Sequence, residues 1–401
     1  MNVNYIEDLL KKSTIFKDET KLDMNYIPER LPYREKELSL LSQLFLILLT
    51  HPNSISRKIL ITGRTGIGKT VTIKLFGMLL EEVGMKRNIQ IKVIHVNCRK
   101  ERTNYKVLIK IIRIFNSNFP KRGYSLQDLI EIMNDYLNQQ NLHLLVVLDE
   151  LNYLINNGGD LVYSLTRLND DTVNNPQRLS LIGIVRDISC LNNLDSSTLS
   201  SLQRNIIKFK LYTKNQIFDI IKYRSELSLK ENTISDDLID VIAEIVLNNG
   251  DIRFGLNLLW KSAKIAEYQN YNYITPECLR LATQDLIPFS TQDLLRYMKV
   301  HKLLLLLAII KSLKKIKKPQ IFITDAIKSY QILCENTGIK ERSYSQIWNY
   351  LQEFKKENII SMKILSEKIR GRKGIIEIPE IPLNKFEGTI NSILSSKGLS
   401  L

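Results

Sequence analysis

Gly63-Arg64-Thr65-Gly66-Ile67-Gly68-Lys69-Thr70 sits between the apolar run Lys58-Ile59-Leu60-Ile61-Thr62 and an amphipathic stretch that opens at Lys69. The octet fits G-x-x-x-x-G-K-[ST], with a strand before it and a helix after it. Glycines let such a loop wrap closely and aim backbone N–H groups at phosphate oxygens, and the helix N-terminus adds a partial positive charge. Residues Gly63 to Thr70, with Val71 behind them, are therefore expected to cradle a nucleotide, ATP or ADP. Lys69 is suited to reach the β and γ phosphates, and the Thr70 hydroxyl to ligate Mg²⁺.

A loop of this kind needs a second metal contact from a neighbouring strand. Leu144-Leu145-Val146-Val147-Leu148-Asp149-Glu150 supplies it. Asp149 is placed to hold the metal and Glu150 to polarise the attacking water. Around these two anchors, short β-rich runs (58–62, 91–97, 143–150, 178–186) alternate with amphipathic helical stretches. Continuous apolar strands separated by helices predict a parallel sheet covered on both faces, an α/β nucleotide-binding core.

Past about Leu211 the β-branched runs stop, and the stretches 216–227, 236–247 and 253–267 carry apolar residues at spacings of three and four. A third unit begins near Leu294: a helix through the run Leu303 to Ile310, a break at Pro319, a second helix from about Thr324, a turn at Gly338 and a third helix from Ser343. Two β-like runs around a Gly and Arg turn follow, and three helices plus a hairpin outline a winged helix. The expected layout is an α/β domain with its N-terminal extension over 1–210, a helical domain over 211–293, a winged helix over 294–386 and a C-terminal tail over 387–401.

The 401 residues carry 57 Lys and Arg against 42 Asp and Glu, a net charge of +15. Between Tyr297 and Phe386 stand 18 basic and 8 acidic residues, so ten of those fifteen charges fall in the third unit. Such an excess favours a polyanion. Helix 343–356 is expected to bury Tyr344, Ile347, Trp348, Leu351 and Phe354 and to present Ser343, Ser345, Gln346 and Asn349. Small polar side chains leading a helix can enter a major groove, where Gln and Asn read adenine edges. Arg370, Gly371, Arg372 and Lys373 form the expected wing tip, suited to phosphates or a minor groove.

Other classes are disfavoured. The longest apolar run is far short of the roughly 20 residues a bilayer crossing requires, and the opening MNVNYIEDLLKK lacks the features of a secretory signal. A cytoplasmic, nucleoid-associated protein with no membrane partner is expected. Cys98, Cys190, Cys278 and Cys334 form no CxxC pair, so neither a disulfide framework nor a zinc site is suggested.

The chain resembles the archaeal origin-recognition initiator family, AAA+ ATPases related to eukaryotic origin recognition complex subunits. The matching pieces are Tyr26-Ile27-Pro28-Glu29-Arg30-Leu31-Pro32-Tyr33-Arg34-Glu35, the P-loop, LDEL at 148–151, LIGIVRD at 181–187, Gly250-Asp251-Ile252-Arg253 and Arg342-Ser343-Tyr344-Ser345-Gln346. The resemblance implies an AAA+ core with a helical lid and a winged helix. It implies that Tyr26, Pro28 and Arg34 lie near the adenine, and that Arg253 is the sensor-two arginine reaching the γ-phosphate. A fixed guanidinium fork suits phosphate oxygens. It also implies an inserted DNA-contacting helix within 158–175, which the residues alone predict only as a surface helix. Double-stranded origin DNA, other initiator paralogues and a replicative helicase are the implied partners.

Two departures stand out. The family usually has Asn after the fourth apolar strand, whereas this chain has Val185-Arg186-Asp187. The segment 194–202 resembles LDPRVxSSL but has Ser197 in place of its arginine. At most a slow ATPase is expected, with nucleotide acting as a conformational ligand. Two other readings stay open: a paralogous regulator of replication or transcription on the same kind of DNA, and a signalling or transposition-helper ATPase whose basic tail binds protein.

Overall fold

The computed structural model describes residues 14–155, 160–167, 176–194, 196–203, 205–284, 294–316, 320–357, 359–365, 373–378 and 383–399. The chain divides into two compact units. One is Asp18–Ser228 with Ile239–Ile252; the other is Met1–Lys17 with Leu229–Leu238 and Arg253–Leu401.

The first unit is built on strands β1 (Lys58–Thr62), β2 (Ile91–Asn97), β3 (His143–Asp149), β4 (Leu179–Val185) and β5 (Ile206–Lys208). They lie parallel in the order β2-β3-β4-β1-β5. Every residue of β3 and β4 is buried, as the unbroken apolar runs require of strands covered on both faces. The period of two divides each strand between two cores. Leu144, Val146 and Leu148 join helices Asn104–Phe115 and Leu126–Gln139 through Val107, Leu108, Leu129 and Met133. Leu145 and Val147 join helices Glu35–Thr50 and Lys69–Lys86 through Leu41, Phe45, Ile73 and Phe76. Each such side chain contributes about 1.5–3 kcal/mol by leaving water.

Local chemistry sets the helix starts. Thr103 accepts from the Lys106 N–H, and Ser125 with Asp128 forms a reciprocal capping box. Parallel strands put all their C-terminal ends on one edge, so the residues after Thr62, Asp149 and Val185 emerge together there, where such sheets hold ligands. Helices Lys214–Ser228 and Asp236–Asn249 follow, tied by a Lys214–Asp240 ion pair at 2.8 Å. Helix Asp160–Arg167, expected at the surface, buries Leu161, Val162 and Leu165 in the sheet core while Tyr163 stays exposed. Residues 158–159 and 168–175, which complete the expected insertion, lie outside the described residues.

The second unit contains helix Ile252–Tyr268 from Arg253 onward and helix Pro276–Gln284, so the helical stretch expected over 211–293 is shared between the units. Its larger part packs helices Val300–Ile316, Ile323–Asn336 and Tyr344–Lys356 on an antiparallel sheet in the order β6-β8-β7: β6 (Gln320–Phe322), β7 (Ser361–Leu365) and β8 (Lys373–Glu377). This is a winged helix. The run Leu303 to Ile310 is wholly buried. Two elements were absent from the sequence reading. Strand β6 pairs Ile321 with Ile376, and the expected tail continues helix Leu383–Ser396, whose Phe386, Ile390 and Leu394 are fully buried in the same core. Among the described residues no helix is long and apolar enough to cross a membrane.

Candidate functional site

The loop after β1 turns through Gly66 (φ +78°) and Gly68 (φ +87°), left-handed conformations that side chains other than glycine resist. Space adds a second reason. A Cβ at Gly66 would collide with Asp251, and one at Gly68 would lie 2.9 Å from the Tyr212 hydroxyl. Gly68 then caps helix Lys69–Lys86 with no side chain of its own, leaving the first-turn N–H groups to point outward. The Lys69 ammonium donates to the carbonyls of Gly63 and Arg64 and so spans the mouth of the loop.

Thr70, on the first turn, meets Asp149 at the end of β3. The Thr70 Oγ1 donates to Asp149 Oδ2 at 2.8 Å. His95, in β2 beside β3, places Nε2 3.1 Å from the same oxygen. Burial pushes the Asp149 carboxyl up, but the hydrogen bonds from His95 and Thr70 and the field of His95 outweigh it and hold the carboxyl below its ordinary range. Two hard oxygen donors from different elements thus converge beside the loop, a donor set that suits Mg²⁺.

Glu150 follows in a left-handed conformation, φ +55°. Its N–H donates to Asp149 Oδ1 at 2.9 Å, and its Oε1 accepts from Arg186 Nη2 at 3.2 Å. Arg99 Nε lies 3.9 Å from Oε2. Arg186, the residue noted in the sequence as a departure after β4, thus meets Glu150.

The lid sequence closes on the same loop. The Ile252 N–H donates to the Gly66 carbonyl at 3.1 Å, and a cavity there is lined by Arg64, Ile67, Tyr212, Ile217, Val246 and Gly250. Burial pushes the Tyr212 hydroxyl up to about 12. Arg253 stands in the first turn of helix Ile252–Tyr268, within the other unit.

The residues expected near the adenine each have their own neighbours. Arg34 is 4% exposed, stacks on Tyr212 at 4.0 Å and donates to the carbonyls of Ile67 (2.8 Å) and Lys210 (2.9 Å). Its guanidinium fastens the P-loop to the chain after β5. Tyr26 lies under Lys21 and Arg224, at 4.4 and 5.1 Å; Pro28 is buried. Tyr212, His95 and Arg99 were missed in the sequence. Tyr212 alone had a signal, as an aromatic between the last strand and the next helix.

On the winged helix, Ser343, Ser345, Gln346 and Asn349 are all exposed. Tyr344 is 64% exposed and not in the core where its spacing had placed it. The buried stripe is Ile347, Leu351 and Phe354; a first-turn side chain leans back past the helix start and clears the core edge. The Arg342 N–H donates to the Tyr330 hydroxyl at 3.3 Å, fixing the entry to this helix. Arg370, Gly371 and Arg372 lie outside the described residues, as does the Lys373 side chain at the start of β8.

Comparisons with known proteins agree with this architecture. Residues 56–186 match the AAA domain model, 218–284 the Cdc6 AAA+ ATPase-type lid domain and 293–383 the CDC6 C-terminal winged helix domain. The chain is 33% identical to ORC1-type DNA replication protein 2 of Sulfolobus acidocaldarius, over 97% of this chain and 96% of that one. Among solved structures it is similar to Cdc6p of Pyrobaculum aerophilum, with a TM-score of 0.63, 29% identity and coverage of 96% and 100%. It shares its fold with the Aeropyrum pernix ORC1 protein in complex with DNA, with a TM-score of 0.79, 24% identity and coverage of 95% and 98%.

Proposed function

Because the chain belongs to the ORC1-type DNA replication protein family, AAA+ proteins that end in a winged helix, we propose that it is a replication initiator that binds ATP and origin duplex DNA. The observation that carries the nucleotide half is the meeting of Thr70 and Asp149 at 2.8 Å beside the glycine loop. Gly63 to Val71 would cradle the phosphates, Lys69 would neutralise them, and Thr70 with Asp149 would hold Mg²⁺. A bound metal would offset phosphate charge. Glu150 is the residue that would polarise water, and Arg253 would reach the γ-phosphate from the lid.

The DNA half rests on the exposed first turn of helix Tyr344–Lys356, in a region that carries most of the chain's net positive charge. That the Aeropyrum pernix ORC1 protein was solved with DNA supports it. Ser343, Ser345, Gln346 and Asn349 would face base edges, and Arg370, Gly371, Arg372 and Lys373 the backbone. Partnership with other initiators and recruitment of a replicative helicase follow from the family reading. The Arg186–Glu150 pair favours a second reading, a paralogue that holds ATP and acts mainly as a regulator on such DNA.

Genomic fragments retained by the purified protein at near-physiological salt, with and without ATP, test the proposal. Enrichment of discrete loci beside replication starts is expected. Uniform retention would remove the origin claim; discrete loci away from replication starts would favour the regulator.

A further inference from the structure

Arg186 and Glu150 lie just beyond adjacent parallel strands. The β3–β4 register, Leu148 opposite Gly183, brings both side chains out at the edge where the phosphate loop lies. The pair is partly buried, with side-chain exposures of 28% and 20%, so water competes weakly for either partner. Glu150 is held by hydrogen bonds at its backbone and at one carboxylate oxygen. Its backbone is left-handed with its N–H on Asp149, Oε1 takes the Arg186 hydrogen bond, and Arg99 stands near Oε2. Arg99 is itself anchored, with its guanidinium 5.6 Å from the Tyr153 ring.

We propose that Arg186 is a positioning residue that restrains Glu150, so that this chain retains bound ATP and turns it over slowly. The inference rests on reading the site as an ATP site in which Glu150 is the base. A carboxylate accepts a water proton only when an oxygen lone pair reaches that water. Here Oε1 is committed to a cation. Water must therefore be met by Oε2, which has no hydrogen bond of its own among the described residues and lies 3.9 Å from Arg99 Nε. The Arg186 contact thus acts by fixing the orientation of the carboxylate. An asparagine at the same place could orient water without charge. An arginine brings a permanent charge and a planar fork that matches a carboxylate, and so holds it. If Arg186 instead served the phosphates directly, its removal would slow turnover, so the two roles predict opposite signs.

Full-length wild type, Arg186→Asn, Arg186→Lys, Glu150→Gln and the Arg186→Asn/Glu150→Gln double variant separate these cases. In nucleotide-free protein, urea unfolding of the singles and the double should be non-additive, with a favourable coupling between the two positions. With saturating ATP, Arg186→Asn should raise kcat about tenfold at unchanged KM, the factor that corresponds to losing one charge-assisted hydrogen bond of about 1.4 kcal/mol. Arg186→Lys, which keeps the charge but loses the planar fork, should raise kcat less than Arg186→Asn does, and the double variant should fall to the Glu150→Gln rate. Additive unfolding energies overturn the proposal, and so does an unchanged or lower kcat in Arg186→Asn that still binds a fluorescent ATP analogue. If Arg186→Asn does not fold, a kcat for Arg186→Lys below wild type overturns it equally. Wild type that fails to bind the analogue defeats the nucleotide reading itself, whatever the coupling shows.

Discussion

Thr70 and Asp149, 79 positions apart in the sequence, share a 2.8 Å hydrogen bond from hydroxyl to carboxylate. One comes from the helix after β1 and the other from the end of β3. Parallel pairing through β4 aligns those ends, so a contact that no local pattern contains follows from strand order. Both oxygens would turn to a metal when one binds. Asp149→Asn should therefore weaken ATP binding by at least about tenfold in Mg²⁺, or about 1.4 kcal/mol, with little change in EDTA. Titration of a fluorescent ATP analogue in both buffers checks this. An Mg²⁺ effect equal to wild type would remove Asp149 from the metal site.

Arg34 is nearly fully buried and joins three parts of the first unit: the Ile67 carbonyl of the P-loop, the Lys210 carbonyl and the Glu37 carboxylate at 2.9 Å. Arg34→Ala strands two carbonyls and leaves a partly buried carboxylate without its cation. A loss of about 3 kcal/mol in unfolding free energy is expected, with weaker nucleotide binding because Ile67 is no longer held. Arg34→Lys should recover only part, since one ammonium cannot match the fork. A variant with wild-type urea midpoint would show that the clamp carries no weight.

His143 opens β3 with its Nε2 2.9 Å from Ser180 Oγ, and burial pushes the imidazole down to about 4. The unfolded chain takes up a proton near pH 6.5, while the folded chain resists until about pH 4. This contribution is therefore complete above pH 6.5 and is lost as pH falls toward 4. Between pH 7.5 and pH 5 it amounts to about 2 kcal/mol. His143→Gln should flatten that part of the stability curve relative to wild type. Parallel curves for the two proteins would assign the acid sensitivity to other groups.

The helix Leu383–Ser396 gives a further test. Phe386, Ile390 and Leu394 recur every four residues and are fully buried against the winged-helix core. Leu394→Ala should cost about 2–5 kcal/mol, as buried leucines do, and truncation at 387 should unfold the winged helix rather than trim a tail. Circular dichroism and urea titration of the full chain and of both variants are sufficient.

That helix also marks the limit of what the sequence discloses. The phosphate loop and β3 are legible because their chemistry is local: glycines where the backbone turns left-handed, and an unbroken apolar run where both faces are covered. Leu383–Ser396 hides its stripe among Asn, Gly, Thr and Ser, so only three anchors speak for it. His95 and Arg99 reach Asp149 and Glu150 through the β2–β3 register, where Asn97 pairs with Asp149, which a linear pattern does not encode. Tyr344 was misread because a spacing of three to Ile347 looks like a core face, while the first turn of a helix has no core beneath it.

Tyr344 also stands exposed on the helix turn proposed to meet DNA. An aromatic ring left 64% exposed beside Ser343, Ser345 and Gln346 adds little to stability but offers an apolar face to thymine methyls or sugars. Tyr344→Ala should leave the unfolding free energy within about 0.5 kcal/mol of wild type while weakening binding to a retained genomic fragment. Gln346→Ala should cost about 1–3 kcal/mol of discrimination at a single base position. The two effects differ in kind, since loss of an apolar contact leaves the salt dependence of binding unchanged, whereas Arg372→Ala should lower the slope by about one unit. Binding isotherms at three salt concentrations, on a specific and a scrambled duplex, separate the three variants. Equal affinity of Tyr344→Ala and Gln346→Ala with wild type on the specific duplex would mean that this helix does not enter the groove.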